Sequence, residues 1–246
     1  MKRPAKPSSV AGSPPAASKS SRIAKAFKNR DGLGVYTANP AAFPASRVIY
    51  YNERFVVIND MYPKATVHTL LLPRSAKHAL QHPYVALEDP DFLAEVKVEA
   101  ARLKTLVAKE LKRRFGQLSV TEQRREAALA NPVEGAELPP GRDWEADVKV
   151  GIHACPSMNH LHVHVLSRDM HSPTVKHRKH YNSFNTPFLV DIADFPLVDD
   201  DLRLDPASQD YLRTSLRCWR CGKEFGKKFK ELKEHLEEEF EAWVRE

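Results

Sequence analysis

Cysteine is scarce in this chain, with three residues among 246, an odd number that cannot form a complete set of disulfides. Long apolar runs are missing too, since no stretch approaches the roughly 18 apolar residues that a membrane-spanning helix needs. The N-terminus lacks the hydrophobic segment of a secretory signal peptide. These absences predict a protein of a reducing compartment that does not associate with a membrane.

Acidic residues are absent from the first 30 positions, which hold eight lysines and arginines. The formal net charge of +6 comes from this segment, because the rest of the chain carries 30 basic and 32 acidic residues. A basic segment rich in proline and serine is typical of a disordered targeting or polyanion-binding arm. We predict that residues 1–22 form a disordered basic tail and that the protein is nuclear. A solvated spacer is the alternative.

Apolar periodicity predicts a mixture of strands and two long helices. The segment 91–115 has helical spacing, and Asp89 followed by Pro90 provides a cap and a first-turn proline for it. A shorter helix and a surface loop are expected within 117–143. Clustered strands without βαβ alternation predict an antiparallel sheet in an α+β fold. The predicted strands cover 47–51, 55–59, 67–72, 148–153 and 160–167, and a last helix covers 228–244.

Three histidines, His160, His162 and His164, alternate with aliphatic residues. A strand period of two predicts that the three imidazoles share one face. Such a face suits two chemistries. Neighbouring imidazoles about 7 Å apart at Cα can share a metal ion. Neutral imidazole is also a good nucleophile toward phosphorus near pH 7.

The turn before these histidines favours the nucleophile over the metal site. A tight turn through Pro156 returns His153 and Ser157 to the histidine face. The resulting cluster offers hydrogen-bond donors for a phosphate, and the sequence predicts no carboxylate nearby to complete a metal site. We therefore predict nucleotidyl transfer.

A second cluster, Cys218-x2-Cys221-x13-His235-x3-Glu239, has zinc-finger spacing with glutamate in the last position. His235 and Glu239 are four residues apart and share a helix face. Glu238 is the competing ligand, but it points about 100° away on the helical wheel. Four protein ligands predict a structural zinc site, without a role in the chemistry.

The histidine motif resembles that of the histidine-triad superfamily. Within it, the chain resembles the fungal aprataxins, the DNA-adenylate hydrolase branch. The resemblance rests on segments 60–65, 70–73 with His68, 151–166 and 179–184, together with the zinc module. It implies a catalytic domain with an N-terminal helix at 23–195, and a linker with a zinc-binding DNA-interaction module at 196–246. The forkhead-associated domain of vertebrate aprataxins is not expected, because only about 30 residues precede the catalytic domain.

The resemblance also implies the roles of the catalytic residues. His162 would attack the adenylate phosphorus of the 5′-to-5′ pyrophosphate that an aborted ligation leaves on DNA. His153 would protonate or stabilise the departing 5′-phosphate, while His164 and Ser157 would hold phosphoryl oxygens. His160 would orient the cluster. Water would then release AMP from the histidine.

Three further residues correspond to family positions near the nucleotide. Asp60 would hydrogen-bond the ribose hydroxyls, and Lys64 and His68 would lie close to the nucleotide. Each has a plainer interpretation: a turn residue at a strand end, a turn lysine and a core histidine. Phe27, within a basic amphipathic segment at 23–30, would stack on an exposed terminal base, as aprataxins use an N-terminal helix to do.

Basic residues near the cysteines and after the triad are candidates for contacts with the DNA backbone. The segment 176–181 would guide the 5′ end inward. An ordinary solvated face, with Trp219 in a small core, is the alternative. The predicted DNA-binding residues, besides Phe27, are Lys176, Lys179, Tyr181, Arg217, Arg220 and Lys223.

The resemblance implies a structural zinc ion, no catalytic cofactor, AMP as product and a monomer acting on 5′-adenylated nicks or ends. Removal of 3′-linked guanylate caps is a further expectation. The enzymatic alternative is a general dinucleoside polyphosphate or AMP-lysine hydrolase, which would need no DNA-binding appendage. The non-enzymatic alternative is a zinc-dependent nucleic-acid-binding protein, against which the complete histidine set argues.

Overall fold

The computed structural model describes residues 30–246 and contains six α-helices and eight strands within that range. The strands are β1 (Val48–Tyr51), β2 (Phe55–Asn59), β3 (His68–Pro73), β4 (Val148–His153), β5 (Val163–Ser167), β6 (Leu189–Asp191), β7 (Leu216–Arg217) and β8 (Glu224–Gly226). The helices are α1 (Gly34–Ala38), α2 (Pro83–Ala86), α3 (Pro90–Phe115), α4 (Val120–Ala130), α5 (Arg178–Asn185) and α6 (Phe229–Arg245).

Six strands form one antiparallel sheet in the order β1-β2-β3-β5-β4-β6. The α+β prediction is therefore confirmed. The register pairs His68 with Leu166 across β3 and β5, and His164 with Gly151 across β5 and β4. Because residues paired across a sheet share a face, this register brings histidines from three neighbouring strands together.

Helix α3 covers one face of the sheet. It begins at Pro90, and the Asp89 side chain accepts a hydrogen bond of 3.3 Å from the Phe92 backbone nitrogen, as the sequence predicts. Its buried residues, which include Val96 and Leu103, join the main core with alternate residues of the central strands. Burying this apolar stripe is the main reason that the helix and sheet hold together.

The opposite face of the sheet carries the histidines and is covered by smaller elements. Leu33 and Tyr36, at the start of and within α1, pack on Ile58 and on Leu70. At the other end of this face, Leu166 packs with residues of α5 and of the β7–β8 hairpin in a separate apolar cluster. A cavity on this face is lined by residues of both clusters.

The last helix, α6, connects the hairpin to the main core. Trp243 and Val244, near its end, are buried in the cluster that α3 forms with the sheet. The Trp243 indole donates a hydrogen bond of 2.9 Å to Asp147, and Arg142 donates one of 2.6 Å to the Trp243 carbonyl. The C-terminal module thus shares a core with the rest of the fold, and the predicted boundary at residue 196 stays a prediction.

The strand predicted at 160–167 is shorter than expected. Strand β5 begins at Val163, so His160 and His162 precede it, and the three triad imidazoles do not line one strand face. The segment before β5 is instead held by long-range bonds: the Asn159 nitrogen donates to the Arg30 carbonyl at 2.8 Å, and the Leu161 nitrogen donates to the Ala79 carbonyl at 2.8 Å. Tertiary contacts override the alternating pattern here.

Two other predictions fall on residues 1–29, which lie outside the described range: the disordered tail, and Phe27 with its amphipathic segment. Helix α5 and the β7–β8 hairpin were not predicted, because both are too short for a clear apolar period. From residue 30 onward, no helix is both long enough and apolar enough to cross a membrane.

Candidate active site and metal centre

A cavity of about 440 Å³ opens on the histidine face of the sheet. Apolar side chains from α1, β2, β3 and the loop before β5 line one end of it: Leu33, Tyr36, Ile58, Leu70 and Met158. Phe184 and Phe188 line it beside the imidazoles. The cavity brings together most of the predicted site residues, namely Asp60, Lys64, His68, His153, Ser157, His162 and His164. The cavity therefore has an apolar slot beside a cluster of imidazoles, a shape that fits a nucleotide base and its phosphate.

The His162 imidazole is held in a single tautomer. Its Nδ1 lies 2.8 Å from the backbone carbonyl oxygen of His160. Because a carbonyl only accepts hydrogen bonds, Nδ1 carries the proton, and Nε2 keeps its lone pair. Burial lowers the pKa of His162, so the ring is uncharged at neutral pH. A neutral imidazole with a free Nε2 is the form that attacks phosphorus.

A chain of hydrogen bonds sets the tautomers of His68 and His164. The Lys64 backbone nitrogen donates to His68 Nδ1 at 3.0 Å, so His68 carries its proton on Nε2. That nitrogen lies 2.9 Å from His164 Nδ1 and donates to it. His164 must then carry its own proton on Nε2, which is buried and has no hydrogen-bond partner among residues 30–246. Burial lowers the pKa of His68 to about 4 and the pKa of His164 well below its ordinary value.

His153, at the end of β4, also lacks a partner for its buried Nε2 within the described part of the chain. Its ring centroid is 4.4 Å from that of His164. Burial, reinforced by His162 and His68 nearby, lowers the pKa of His153 to about 3. Buried polar atoms without partners cost free energy, so two such nitrogens in one cavity indicate a polar ligand. A phosphate oxygen accepts from His164 Nε2–H, and it accepts from His153 Nε2 when that ring is protonated.

His160 lies elsewhere. Its ring faces α1, where a Cβ added to Gly34 would come within 2.5 Å of the His160 Cε1 atom. It lines a separate pocket together with Arg30 and His82. The contact of His160 with the cluster is made by its backbone carbonyl, which holds His162, and its imidazole does not line the catalytic cavity.

A carboxylate does lie beside the histidines, contrary to the sequence prediction. Asp60 Oδ2 is 3.5 Å from His68 Nε2, and ligand atoms of Asp60, His68 and His164 lie within 4.8 Å of one another. The hydrogen bond between His68 and His164 already uses the two nitrogens that face each other. This hydrogen bond accounts for the clustering without a metal. Lys64 donates its ammonium to the Tyr62 carbonyl, and burial lowers the pKa of Lys64.

The four predicted zinc ligands meet at the junction of the hairpin and α6. Ligand atoms of Cys218, Cys221, His235 and Glu239 lie within 4.8 Å of one another. Glu239 Oε1 is 3.1 Å from His235 Nε2, whereas Glu238 is 85% exposed and lies 3.9 Å from the other ring nitrogen. Two thiols, an imidazole and a carboxylate form a donor set that zinc accepts. The arrangement favours Glu239 over Glu238 as the fourth ligand.

Comparison with known proteins agrees with both parts of the molecule. The HIT domain family matches residues 44–171, and the C2HE / C2H2 / C2HC zinc-binding finger family matches residues 185–242. The aprataxin-like protein of Schizosaccharomyces pombe is 35% identical over 217 residues, covering 87% of this chain and 83% of that protein. The chain belongs to the aprataxin family. It is a histidine-triad hydrolase with a C-terminal zinc finger.

Solved structures of aprataxin relatives share this fold. The aprataxin ortholog Hnt3 in complex with DNA matches with a TM-score of 0.68 and 34% identity, covering 87% of this chain and 96% of that one. Hnt3 in complex with DNA and guanosine matches with a TM-score of 0.65 and 34% identity, covering 87% and 97%. The histidine cavity and the zinc ligands of the present chain thus lie within a fold common to the aprataxin family.

The predicted DNA-binding residues divide into two groups. Lys176, Lys179, Arg217 and Lys223 are exposed, and so is Arg220. Lys179 also lines the catalytic cavity, and Arg217 pairs with the exposed Glu224. The prediction for Tyr181 is wrong. Its side chain is fully buried, its hydroxyl donates to the Arg217 carbonyl at 2.9 Å, and the same oxygen accepts from the Trp219 nitrogen at 2.9 Å.

Arg220 is also engaged within the protein. Its guanidinium donates to Glu239 at 2.6 Å and to the Glu246 side chain. Arg220 is therefore a partner of a predicted zinc ligand, and the carboxylates of Glu239 and Glu246 already balance its charge within the protein. Sequence reasoning missed this role because Glu239 and Glu246 are distant along the chain.

Other cavity residues escaped the sequence analysis. Leu33, Tyr36 and Met158 come from separate segments, and only the fold places them around one slot. The exposed Tyr62 stands at the cavity edge next to Lys64, within the segment 60–65 that carries the aprataxin resemblance. The resemblance therefore contained a signal for Tyr62 but none for the apolar slot.

Proposed function

We propose that this protein is a DNA-adenylate hydrolase. It removes AMP from the 5′ ends of abortive ligation intermediates through a covalent AMP-histidine and restores a 5′-phosphate for single-strand break repair. The observation that carries the proposal is the His162 imidazole, whose Nδ1 is tied to a carbonyl and whose Nε2 is free in a cavity with two unpartnered histidine nitrogens. This arrangement supplies a nucleophile and donors for phosphoryl oxygens together.

The first half-reaction follows from this geometry. The adenine enters the apolar slot, and Asp60 accepts hydrogen bonds from the ribose. His164 Nε2–H and Ser157 hold the oxygens of the adenylate phosphate, where negative charge is concentrated. His162 Nε2 forms a bond to the phosphorus, and the bond from that phosphorus to the bridging oxygen breaks. The DNA 5′-phosphate leaves with this oxygen.

His153 handles the departing phosphate. Its pKa is about 3 without a ligand, so the ring is neutral in the free protein. The negative charge of the pyrophosphate raises that pKa, since a nearby anion favours the protonated ring. A protonated His153 then donates to the leaving oxygen. In the second half-reaction, the now neutral His153 accepts a proton from water, the water oxygen bonds to the phosphorus, the bond to His162 Nε2 breaks, and AMP is released.

DNA is the substrate because the exposed cationic residues extend from the cavity edge to the zinc module. The Hnt3 relatives were solved with DNA, one of them also with guanosine, which supports DNA as ligand and 3′-linked guanylate as a second substrate. We extend the proposal to a nuclear protein that acts as a monomer, with residues 1–22 as its basic tail. The catalytic part spans 23–195, and the linker and zinc module span 196–246. Zinc is structural, and no catalytic cofactor takes part.

The proposal is tested with adenylated nicked DNA and the purified protein. We expect AMP release by the wild-type protein and none by His162→Ala. In His162→Asn, the side-chain amide nitrogen replaces Nδ1 as the donor to the His160 carbonyl. DNA binding therefore stays near normal while AMP release disappears. His171→Asn, outside the cavity, is the matched control and retains activity. AMP release by folded His162→Ala would remove His162 as the nucleophile.

The same assay separates the alternatives. Equal or better turnover of a small dinucleoside polyphosphate or of AMP-lysine indicates a general histidine-triad hydrolase. DNA binding without any turnover indicates a zinc-dependent binding protein.

A further inference from the structure

A second cationic cleft, of about 510 Å³, lies where the histidine face of the sheet meets the zinc hairpin. Its lining includes Lys149 of β4, Arg168 just after β5, and Arg217 with Trp219 from the hairpin. Phe184 of α5 lines both this cleft and the catalytic cavity, so one side chain lies in the wall between them.

The cleft continues the face of the sheet that carries the catalytic histidines. Lys149 lies two strand positions before Gly151 and four before His153, and side chains alternate along a strand. Arg168 stands four positions after His164, and Lys149 pairs with Leu166 between them. Four strand positions correspond to about 13 Å, so the cleft lies that far from His153 along β4.

Among the basic side chains that line this cleft, Arg168 has the most incomplete hydrogen bonding. Its guanidinium carbon lies 4.8 Å from the centroid of the Trp219 ring, a cation–π contact. Its Nε is buried and has no hydrogen-bond partner in the described portion of the protein. Trp219 is fixed in turn, because its indole nitrogen donates to the Asp169 carbonyl at 3.1 Å. A rigidly held guanidinium with an unsatisfied N–H favours binding of an anion.

Lys149 adds a buried charge beside Arg168. Its Nζ donates to the Phe184 carbonyl and to Asn185 Oδ1, both at 2.8 Å, which leaves one of its three protons for a ligand. Burial, with the charge of Arg168, lowers the pKa of Lys149 to about 8, and a bound anion would restore its full charge.

Three basic side chains line the cleft, Lys149, Arg168 and Arg217, and the buried Asp169 nearby acts to raise the pKa of Lys149. Asp191 is the carboxylate in the lining, and its Oδ1 accepts from the Ala193 nitrogen at 2.8 Å. Glu224 pairs with Arg217 from the neighbouring strand at 2.5 Å. Lys149 and Arg168 have no carboxylate partner among the ion pairs formed within residues 30–246. The lining itself therefore holds more basic than acidic side chains.

We propose that this cleft binds a backbone phosphodiester of the DNA that leads into the catalytic cavity, with Arg168 as the principal contact. The inference rests on the proposed function and names a contact for its substrate. The distance of about 13 Å corresponds to about four base steps at 3.4 Å of helix axis per step, so one strand can occupy both sites. Planar guanidinium groups suit phosphate oxygens, and a backbone contact requires no particular base.

The test compares Arg168→Gln with the wild-type protein in binding to a nicked duplex over a range of salt concentrations. We expect the affinity to fall about 3- to 10-fold near 0.1 M salt, and the slope of log K against log salt to decrease by about one, because one phosphate contact is lost. Turnover of a small adenylate without DNA stays unchanged, since the catalytic cavity is intact. Lys109→Gln, an exposed lysine of α3 on the opposite side of the sheet, changes neither quantity.

Unchanged affinity and unchanged salt slope in folded Arg168→Gln would overturn the inference. If that variant does not fold, Arg217→Gln and Glu224→Gln serve instead, because both residues are exposed. We expect the first to weaken DNA binding and the second to strengthen it, and no change in either would equally overturn the inference. A wild-type protein that binds no DNA would overturn the proposed function itself, a result distinct from failure of the cleft alone.

Discussion

Four imidazoles meet in the catalytic cavity, and burial keeps all of them uncharged. His68, His153, His162 and His164 come from β3, β4, and the segment that enters and forms β5. Each has a lowered pKa because the cationic form loses its hydration there. Neutral rings keep lone pairs and N–H groups in defined places, which is what nucleophilic attack on a nucleotide requires.

The buried histidines predict that the free energy of unfolding falls in mild acid. The pKa of His68 is about 4 and that of His153 is about 3, whereas both are near 6.5 in the unfolded chain. Between those values the unfolded state binds more protons, so stability is greatest above pH 6.5 and falls as the pH decreases toward 4. Each group contributes up to about 1.4 kcal/mol per pH unit.

Urea unfolding at a series of pH values between about 7.5 and 4.5, all at the same ionic strength, measures this effect. His68→Gln removes one titrating ring, and we expect a shallower pH dependence in that variant. An equally steep dependence would show that His68 is not a source of the acid sensitivity.

Among the elements, the segment that leads into α1 and the segment before β5 are joined next to His162, the proposed nucleophile. The Arg30 side chain donates to the Ser157 carbonyl at 3.2 Å, and the Asn159 side chain donates to Asp31 at 2.7 Å. Gly34 leaves no room for a side chain beside the His160 ring. The carbonyl of His160 then holds His162. The position of His162 thus depends on a helix that also lines the apolar slot of the cavity.

Gly34→Ala tests this dependence. The added methyl group would displace the His160 ring, and we expect the movement to disturb the carbonyl that holds His162 Nδ1. Single-turnover AMP release should fall about 10-fold or more, because misplacing a reacting group by about 1 Å costs about 100-fold. The melting temperature should change little. His160→Ala combined with Gly34→Ala removes the clash and should recover part of the rate, whereas a wild-type rate in Gly34→Ala alone would refute the dependence.

The zinc centre depends on a residue outside its ligand set. Arg220 Nη1 lies 2.6 Å from Glu239 Oε2 and leaves Oε1 directed toward His235. Outer partners of this kind orient a metal ligand, and their loss typically lowers metal affinity 10- to 100-fold. We expect that decrease for Arg220→Leu and a larger one for Glu239→Gln.

Competition for zinc with a coloured chelator measures these affinities directly. Glu238→Gln is the matched control, because Glu238 is the adjacent, exposed carboxylate. Equal losses of zinc affinity in Glu238→Gln and Glu239→Gln would contradict the assignment of the fourth ligand.

At the scale of the whole molecule, the zinc module and the catalytic sheet are held together by Trp243. The indole is 1% exposed and contacts Phe115 of α3 with ring centroids 5.7 Å apart. Because metal binding stabilises the hairpin and α6, zinc also stabilises the core that α6 enters.

Calorimetry of the protein with and without a chelator tests this coupling. We expect chelation to lower the melting temperature of a single transition that includes the catalytic part. Trp243→Ala should cost about 3–5 kcal/mol of the free energy of unfolding, as large aromatic truncations in cores do. Two separate transitions, with the upper one unaffected by chelation, would show instead that the modules are energetically independent.

Local sequence patterns predicted the residue sets of both centres and much of the secondary structure. The bounds of β2 and β4 match their predictions, and α3 begins one residue earlier than predicted. The predicted zinc ligands follow from short spacings along the chain, and the histidine motif, through the family that it resembles, predicts His162 as the nucleophile. These features are local, because a strand period, a helix cap or a ligand spacing depends on neighbours within a few residues.

The assembled fold sets which side chains face each other. It placed Asp60 beside His68, turned His160 away from the cavity, and buried Tyr181 against the hairpin. It also brought Lys149 and Arg168 together with residues of the zinc module. The partners in each case are distant along the chain, so no local pattern encodes them, and burial and hydrogen bonding in the assembled fold settle their roles.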